Sequence, residues 1–410
     1  MREQFFWTAA LLTGIWAAPL EVVFSNPIPS PRLTFSPNGT FTLAIFEDLH
    51  YGEGEANPPS SGWGPISDRK STGVLHTLLK HERPHLAVLN GDLITGENTH
   101  AHNSTRYLDQ IVAPLVAARV PWASTYGNHD RQQNLSPRSL LARERRLYPH
   151  LSLTRCMTCA PGDRDANPDA GITNYFLPVY PANSTRPALI LWFFDSRGGR
   201  EYEPGPLLPE NSTHLPPPIP QSVHPDAVAW FETAHAALAA KYGPLPSLAF
   251  AHIPPYPSLF LQGSGKVDPR RTPGINDDVP VDSQGLKKGV WDGSDAPFLR
   301  ALGRARVVGV WSGHDHGNDW CGRWNSTLDA PSGGGEVSPP VRGLFVCFGR
   351  HTGYGGYGRW MRGARVVRVG FGGEVETWVR LEDGSVSGRV RLNGTYGADR
   401  YERVERKFSS

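Results

Sequence analysis

Cysteine and methionine are scarce. Four cysteines and three methionines in 410 residues exclude a disulfide-dense scaffold, so the fold must rest on a buried core. Neither sign of charge dominates, with 41 basic against 39 acidic side chains and no basic stripe, which gives no reason to expect a nucleic-acid partner. Beyond the first 25 residues no apolar run is long enough to span a bilayer, and no stretch repeats at a fixed period. The length suffices for one large core or two modest ones.

Glycine and proline, by contrast, are abundant at 44 and 38, which predicts long irregular connections between short regular elements. Residues 1–25 carry one early Arg and then an apolar run of signal-peptide length, with a buried helix or a membrane anchor as the alternatives. Asn-x-Ser/Thr occurs at Asn38, Asn103, Asn134, Asn183, Asn211, Asn325 and Asn393. Behind such a leader, these sequons point to the secretory pathway and to an extracellular, cell-wall or vacuolar destination, with no membrane insertion after cleavage. Each should lie on a loop or edge, and Asn134 is the weakest because Pro137 follows its Ser136. In an oxidising compartment the four cysteines should pair as Cys156–Cys159 and Cys321–Cys347. The rival reading of Cys156-x-x-Cys159 as half a zinc site lacks a second CxxC.

Short apolar runs alternate with helical patterns. Strands are expected at 41–47, 86–90, 122–126, 188–194, 244–252 and 305–312, and helices at 71–82, 105–118 and 225–242. Pro225 suits a first helical turn and Gly243 a helix end. This alternation indicates an α/β fold with mainly parallel pairing. From residue 343 onward the strands follow one another through glycine-containing turns, which reads as an antiparallel meander closing the second sheet. One two-sheet domain over 40–395 is preferred, with an extension at 26–39 and a tail at 396–410. The polar, Gly/Pro-rich segment 260–295 is long enough to be functional.

Open α/β sheets bind their ligands beyond the carboxyl ends of strands. Five strand ends here deliver metal-ligand chemistry: Asp48 and His50, then Asp92, then Asn128, His129 and Asp130, then His252, then His314 and His316. Taken singly, each has a bland explanation as a helix cap, a turn residue or a core histidine. Taken together they are too many for one ion and fit two, about 3.5–4 Å apart, bridged by one carboxylate. His76, His81, His100 and His102 lack that setting and read as surface residues.

The motifs D-x-H, GD, GNHD, H and GHDH, in that order, resemble the calcineurin-like metallophosphoesterases over about residues 40–395. FEDLHYGEGE, GDLITGEN, AHIPPYP, SGHDHGNDWCG and VCFGRHTGYGGYG look like the purple-acid-phosphatase-like branch of fungi and plants, relatives of the yeast dosage-dependent cell-cycle regulator phosphatase. The resemblance implies a four-layer α/β/β/α sandwich of two mixed sheets. It further implies one metal on Asp48, His50 and His316, a second on Asn128, His252 and His314, and Asp92 between them. His129 would steady or protonate the leaving oxygen, with Asp130 orienting it. Two Fe, Zn or Mn ions would neutralise the phosphoryl oxygens and acidify a water that attacks phosphorus in line.

That resemblance implies hydrolysis of phosphomonoesters, small or on protein. The alternatives are a phosphodiesterase on nucleotide or phospholipid diesters, and a glycosylated metal-binding protein without catalysis. In the purple enzymes a tyrosinate ligand lies three residues after the bridging aspartate. Thr95 holds that place here, so a colourless protein is expected. Arg350, His351 and Tyr354 follow a strand and would approach the phosphate, unless RHTGYGGYG is only a flexible turn. A Cys321–Cys347 bond would pin the two loops beside this site together.

Overall fold

The structure is a computed structural model that describes residues 31–53, 63–159, 167–200, 216–325 and 343–409. The expected leader at 1–25 and the sequon at Asn211 lie outside the described residues. In chain order the elements are β1 (Thr40–Phe46), α1 (Trp63–Glu82), β2 (Leu86–Asn90), α2 (Tyr107–Ala118), β3 (Trp122–Thr125), α3 (Pro137–Leu147), β4 (Tyr175–Val179) and β5 (Leu189–Phe194). Then follow α4 (Pro225–Tyr242), β6 (Ser247–Ala251), α5 (Pro257–Gly263), β7 (Leu286–Lys287), β8 (Val290–Trp291), α6 (Ala296–Arg304), β9 (Gly309–Ser312) and β10 (Cys321–Trp324). The last are β11 (Leu344–Phe348), β12 (Gly363–Gly370), β13 (Val375–Leu381) and β14 (Val386–Leu392).

Two six-stranded mixed sheets carry the fold, ordered β14-β13-β12-β1-β2-β3 and β10-β11-β9-β6-β5-β4. Strand alternation explains the layers. Along β1, Leu43 and Ile45 face the other sheet and meet Leu191, Phe193, Leu248 and Phe250 in one buried cluster. Ala44 and Phe46 face outward onto Leu75 and Leu78 of α1 and Ile111 and Leu115 of α2. The outer face of the second sheet packs Trp192 and Phe194 against Phe231 of α4 and Phe298 of α6. Both faces of both sheets are therefore covered, giving the α/β/β/α sandwich.

The meander closes the first sheet, not the second. Only β11 joins the second sheet, parallel to β9, and β10 occupies its remaining edge with Cys321 opposite Cys347. With that edge taken, β12 pairs antiparallel to β1, and β13 and β14 follow outward. Both expected disulfides are present, Cys156–Cys159 and Cys321–Cys347. Described residues of both flanking pieces pack on the core: Leu33 and Phe35 are buried between the sheets, and the Tyr396 hydroxyl donates to the Cys321 carbonyl at 2.8 Å.

Several elements escaped the sequence pattern for identifiable reasons. β4 contains Pro178, which suits it to the sheet edge it occupies but weakens a strand signal. The helix α3 is dense in arginine, so its apolar stripe of Leu140 and Leu141 is thin. β7 and β8 form a hairpin whose two turn residues, Lys288 and Gly289, both have positive φ, the geometry two-residue hairpins prefer.

One buried carboxylate fixes the third strand. Glu144 of α3 accepts from Trp122 Nε1 (3.0 Å), Ser124 Oγ (2.9 Å), the Tyr126 hydroxyl (2.9 Å), Ser152 Oγ (2.6 Å) and Thr154 Oγ1 (2.6 Å). Five donors compensate its desolvation and anchor the strand that ends in GNHD. Glu144→Ala should therefore lower stability by roughly 3–5 kcal/mol in chemical denaturation, because it strands five buried donors. A loss under about 1 kcal/mol would show that water replaces the carboxylate without cost.

Candidate metal centre

Each expected ligand lies just past the carboxyl end of its strand, and the two sheets bring those ends together. The chain turns sharply there: Asp48 (φ 54°), His50 (φ 48°), Asp92 (φ 48°) and His314 (φ 73°) all adopt left-handed backbone. Asp and His tolerate this region better than bulkier residues, yet four such residues at one place mark a site that stores strain. Glycine is required beside them. A Cβ on Gly127 would lie 2.2 Å from Asp92 Oδ1, and one on Gly91 2.4 Å from the His252 ring.

Two groups of donor atoms result, Asp48 with His50 and His316, and Asp92 with His252 and His314, each held within 4.8 Å. Asp92 Oδ2 is 3.0 Å from His252 Nε2 and 3.8 Å from His50 Nε2, so it stands between the groups. The amide oxygen of Asn128 is buried with no hydrogen-bond partner. Orphaned lone pairs of this kind are costly unless a cation or donor meets them.

The remaining ring nitrogens explain why those lone pairs point inward. His50 Nδ1 meets Thr95 Oγ1 at 2.9 Å, His252 Nδ1 the Asn90 carbonyl at 2.9 Å, and His316 Nδ1 the Tyr357 carbonyl at 3.0 Å. A carbonyl accepts only from N–H, so Nδ1 of both His252 and His316 carries a proton, and the neutral His316 presents a bare Nε2; burial lowers His252, but Asp92 beside its Nε2 carries that ring up to about 10. His50 Nε2 and His316 Nε2 then lie 3.2 Å apart. Two lone pairs at that distance repel unless a cation lies near both. The residues fit two metal ions, with Asp92 shared. Thr95, in the place of the purple enzymes' tyrosinate, supports His50 instead of binding metal.

Burial dominates the electrostatics. It pushes Asp48 up to about 7 and lowers His50 and His314 to about 3, while His316 also falls well below its usual value; the three rings are therefore neutral, the form that binds metal. Burial works against charge on Asp92 too, but His252 and His129 draw its carboxyl well below the ordinary range. For His129 burial lowers, whereas Asp92 and Glu97 together carry it up to about 10.

His129 stands at the mouth of the cleft with its side chain 32% exposed and its ring centroid 4.9 Å from that of His50. Its orienting partner is not Asp130. His129 Nδ1 meets Glu97 Oε1 at 2.5 Å. The Asp130 carboxylate instead accepts from the backbone amides of Leu93 (3.0 Å), Ile94 (3.0 Å) and Gly127 (2.9 Å), which places it beneath the loops with no path to the ring. The substrate loop also differs from expectation. Arg350 is buried against Asp319 (2.7 Å) and the Met361 carbonyl, Tyr354 donates to Glu382, and the His351 ring packs on His316 at 3.8 Å. These three support the centre from behind, and Gly356 and Tyr357 of the same loop reach the cleft.

The cleft, of ≈ 580 Å³, is also lined by Glu53, Glu97, Gln221, Asp278, Asp282 and Asp315. Glu97 sits two residues past Thr95 on a short turn, and an acid following GDLIT is too common a pattern to have been singled out. Four described sequons, Asn38, Asn183, Asn325 and Asn393, are exposed, while Asn103 and Asn134 are half-buried.

Two outcomes are expected. Asp92→Ala and Asn128→Ala proteins, reconstituted with zinc, should hold clearly fewer than two metal equivalents by elemental analysis, with affinity reduced about tenfold or more. An iron-loaded wild-type protein should show no tyrosinate charge-transfer band in the visible, because Thr95 offers no phenolate.

Comparison with known proteins identifies the family. The family model of calcineurin-like phosphoesterases matches residues 41–318. The chain is 25% identical over 401 residues to an Arabidopsis thaliana protein named probable inactive purple acid phosphatase 29, covering 88% of each. It is 28% identical over 306 residues to the phosphatase DCR2 of Saccharomyces cerevisiae, covering 72% of this chain and 47% of that one. Among solved structures, a dimetal phosphatase from Danio rerio aligns with a TM-score of 0.48 at 16% identity, over 86% of this chain and 98% of the other. The chain belongs to the calcineurin-like phosphoesterase family.

Proposed function

We propose that the protein is a phosphatase of the secretory pathway that hydrolyses phosphomonoesters. The observation that carries the reading is the donor set: only two carboxylates, Asp48 and Asp92, stand among the ligands. Against two divalent cations they leave a double positive charge. A phosphomonoester dianion matches that charge at the centre, whereas a singly charged diester leaves part of it unmatched. Cations bound there would supply phosphoryl neutralisation and an acidified water. Asn128 would help place the phosphoryl group.

His129 and Glu97 perform the remaining task. An alkoxide leaves poorly without a proton, and a protonated imidazole at the cleft mouth is placed to donate one. Glu97, on the far nitrogen, holds the ring in its charged form and aims the other nitrogen inward. Some relatives carry the word inactive in their names, but every ligand position is filled in this chain. Export is supported by the leader-like start, the exposed sequons and two disulfides, and digestion of the purified protein with an endoglycosidase would test it by a drop in mass.

The catalytic reading is tested with p-nitrophenyl phosphate, its bis-ester and an alkyl phosphate. The monoesters should turn over well ahead of the bis-ester. His129→Ala should retain its metals yet lose roughly 10²–10⁴-fold in kcat on the alkyl phosphate. It should lose less on p-nitrophenyl phosphate, whose leaving group needs little protonation. Equal losses on both esters would remove His129 from the role of acid, and no measurable loss would favour a metal-binding protein without catalysis.

A further inference from the structure

The cleft around the candidate metals contains no lysine or arginine among its described lining residues. The nearby arginines are all tied elsewhere. Arg131 pairs with Asp195 at 3.0 Å, and Arg197 donates through Nε to the Ser222 carbonyl at 2.7 Å. Arg362 meets His351 Nδ1 at 2.8 Å, and Arg365 donates to the Phe348 carbonyl at 2.6 Å.

Six carboxylates line the same space, and four have evident employment. Asp92 is a ligand, Glu97 holds His129, Glu53 accepts from Thr95 and from Gly356 N (3.3 Å), and Asp278 accepts from the Tyr357 hydroxyl and more weakly from Gly317 N (3.4 Å). Asp315 is different. It is 6% exposed, it lines the cleft, and its Oδ2 has no hydrogen-bond partner. Asp278, Asp282 and Asp315 form no ion pair with any described side chain, while the neighbouring Asp277 is matched by Arg406. Nor do the three form a further metal nest, since the described residues hold only the two donor groups above. Beside Asp278 and Asp282, Val279 and Val281 are 55% and 60% exposed, an apolar strip at the rim. Acidic groups alternating with exposed valines suit a side chain with an aliphatic stem and a cationic head.

We propose that this wall selects phosphomonoesters whose leaving group carries a cation, and specifically phosphoserine or phosphothreonine segments flanked by lysine or arginine. The inference rests on the phosphatase reading above. Asp315, deep in the cleft, would meet an ammonium or guanidinium close to the ester. Asp278 and Asp282, on the rim, would meet one further along a peptide. A polyanionic ester would face Asp278, Asp282 and Asp315 with no lysine or arginine among the described lining residues to offset them.

The test uses the zinc-loaded full chain and two phosphoserine octapeptides of equal length, one flanked by arginine and one by glutamate. Phosphoethanolamine and glycerol phosphate serve as small-molecule counterparts. The arginine peptide should lead in kcat/KM by at least about fivefold, the scale of one or two partly exposed charge pairs, and the lead should shrink in high salt. Asp278→Asn/Asp282→Asn should cut the peptide ratio toward one and leave the ratio of phosphoethanolamine to glycerol phosphate in place, whereas Asp315→Asn should reduce both ratios. A lead for phosphoethanolamine alone, with equal peptides, would overturn the peptide assignment in favour of a small amino-alcohol ester. Equal or inverted ratios throughout would overturn the proposal. Calorimetry with non-hydrolysable phosphonate versions of both peptides reads the same preference as Kd. If no phosphoester is turned over, the phosphatase reading fails, and the Kd ratio still decides this one.

Discussion

The centre depends on one buried asparagine that stitches the two sheets together at their carboxyl edges. Asn90 ends β2 in the first sheet, and its carbonyl accepts from His252 Nδ1, at the end of β6 in the second. Its amide donates to the Trp311 carbonyl of β9 at 3.2 Å and to Glu47 Oε2 at 2.8 Å, and its amide oxygen accepts from Thr125 Oγ1 at 3.1 Å. One fully buried residue therefore joins its own strand end to those of four others that deliver candidate ligands. Apolar packing between the sheets is non-directional and sets their separation, not their register. Register at this edge comes from directional bonds, and Asn90 supplies two that cross between the sheets.

The strained turns make sense within that frame. Residues held at positive φ cost on the order of 1–3 kcal/mol each, and they persist only where surroundings over-determine them. Here Asp48 Oδ1 accepts from His314 N at 3.0 Å, so one strained turn is clamped by the side chain of another, and Asp92 Oδ1 accepts from His129 N at 2.8 Å, which ties the β2 turn to the GNHD turn. On Asp92 this leaves Oδ2 facing His50 and His252 at the centre. A ligand sphere on regular strand backbone would spread its donors along alternate faces; left-handed turns gather them into one point. Stability is given up locally for convergence.

Much of this was legible in the sequence, and the pattern of what was not is informative. Strand ends rich in Asp, Asn and His, beside glycine, pointed to the six residues that the structure gathers into two donor groups, because metal chemistry restricts residue type severely. Long apolar runs with period two or 3.6 marked the central strands and helices α2 and α4. Sheet membership of the final strands was not legible, because an antiparallel meander has the same local pattern whichever edge accepts it. Roles carried by contact alone were equally hidden. Nothing about Glu97 or Asp315 differs locally from an ordinary surface acid, and Arg350 and His351 look functional beside glycines while they serve as a buttress.

Asp130 shows why adjacency is a poor guide to partnership at such a site. A residue next to a catalytic candidate in sequence points away from it when the chain is extended, and here the GNHD turn sends the Asp130 carboxylate inward. There it bonds the amides that follow Asp92 and the amide of Gly127 just before Asn128. Burial, reinforced by Asp92, pushes this carboxyl up to about 7, and those three amides offset part of that cost. Its effect is to lock the β2 and β3 loops together, so that a shared ligand and an unshared one keep their spacing. His129, by contrast, needs a partner on the solvent side, where its ring opens to substrate, and only a residue from another turn can stand there. The division of labour follows from geometry: the inner acid ties together the loops that carry Asp92 and Asn128, and the outer acid orients the His129 ring at the cleft mouth.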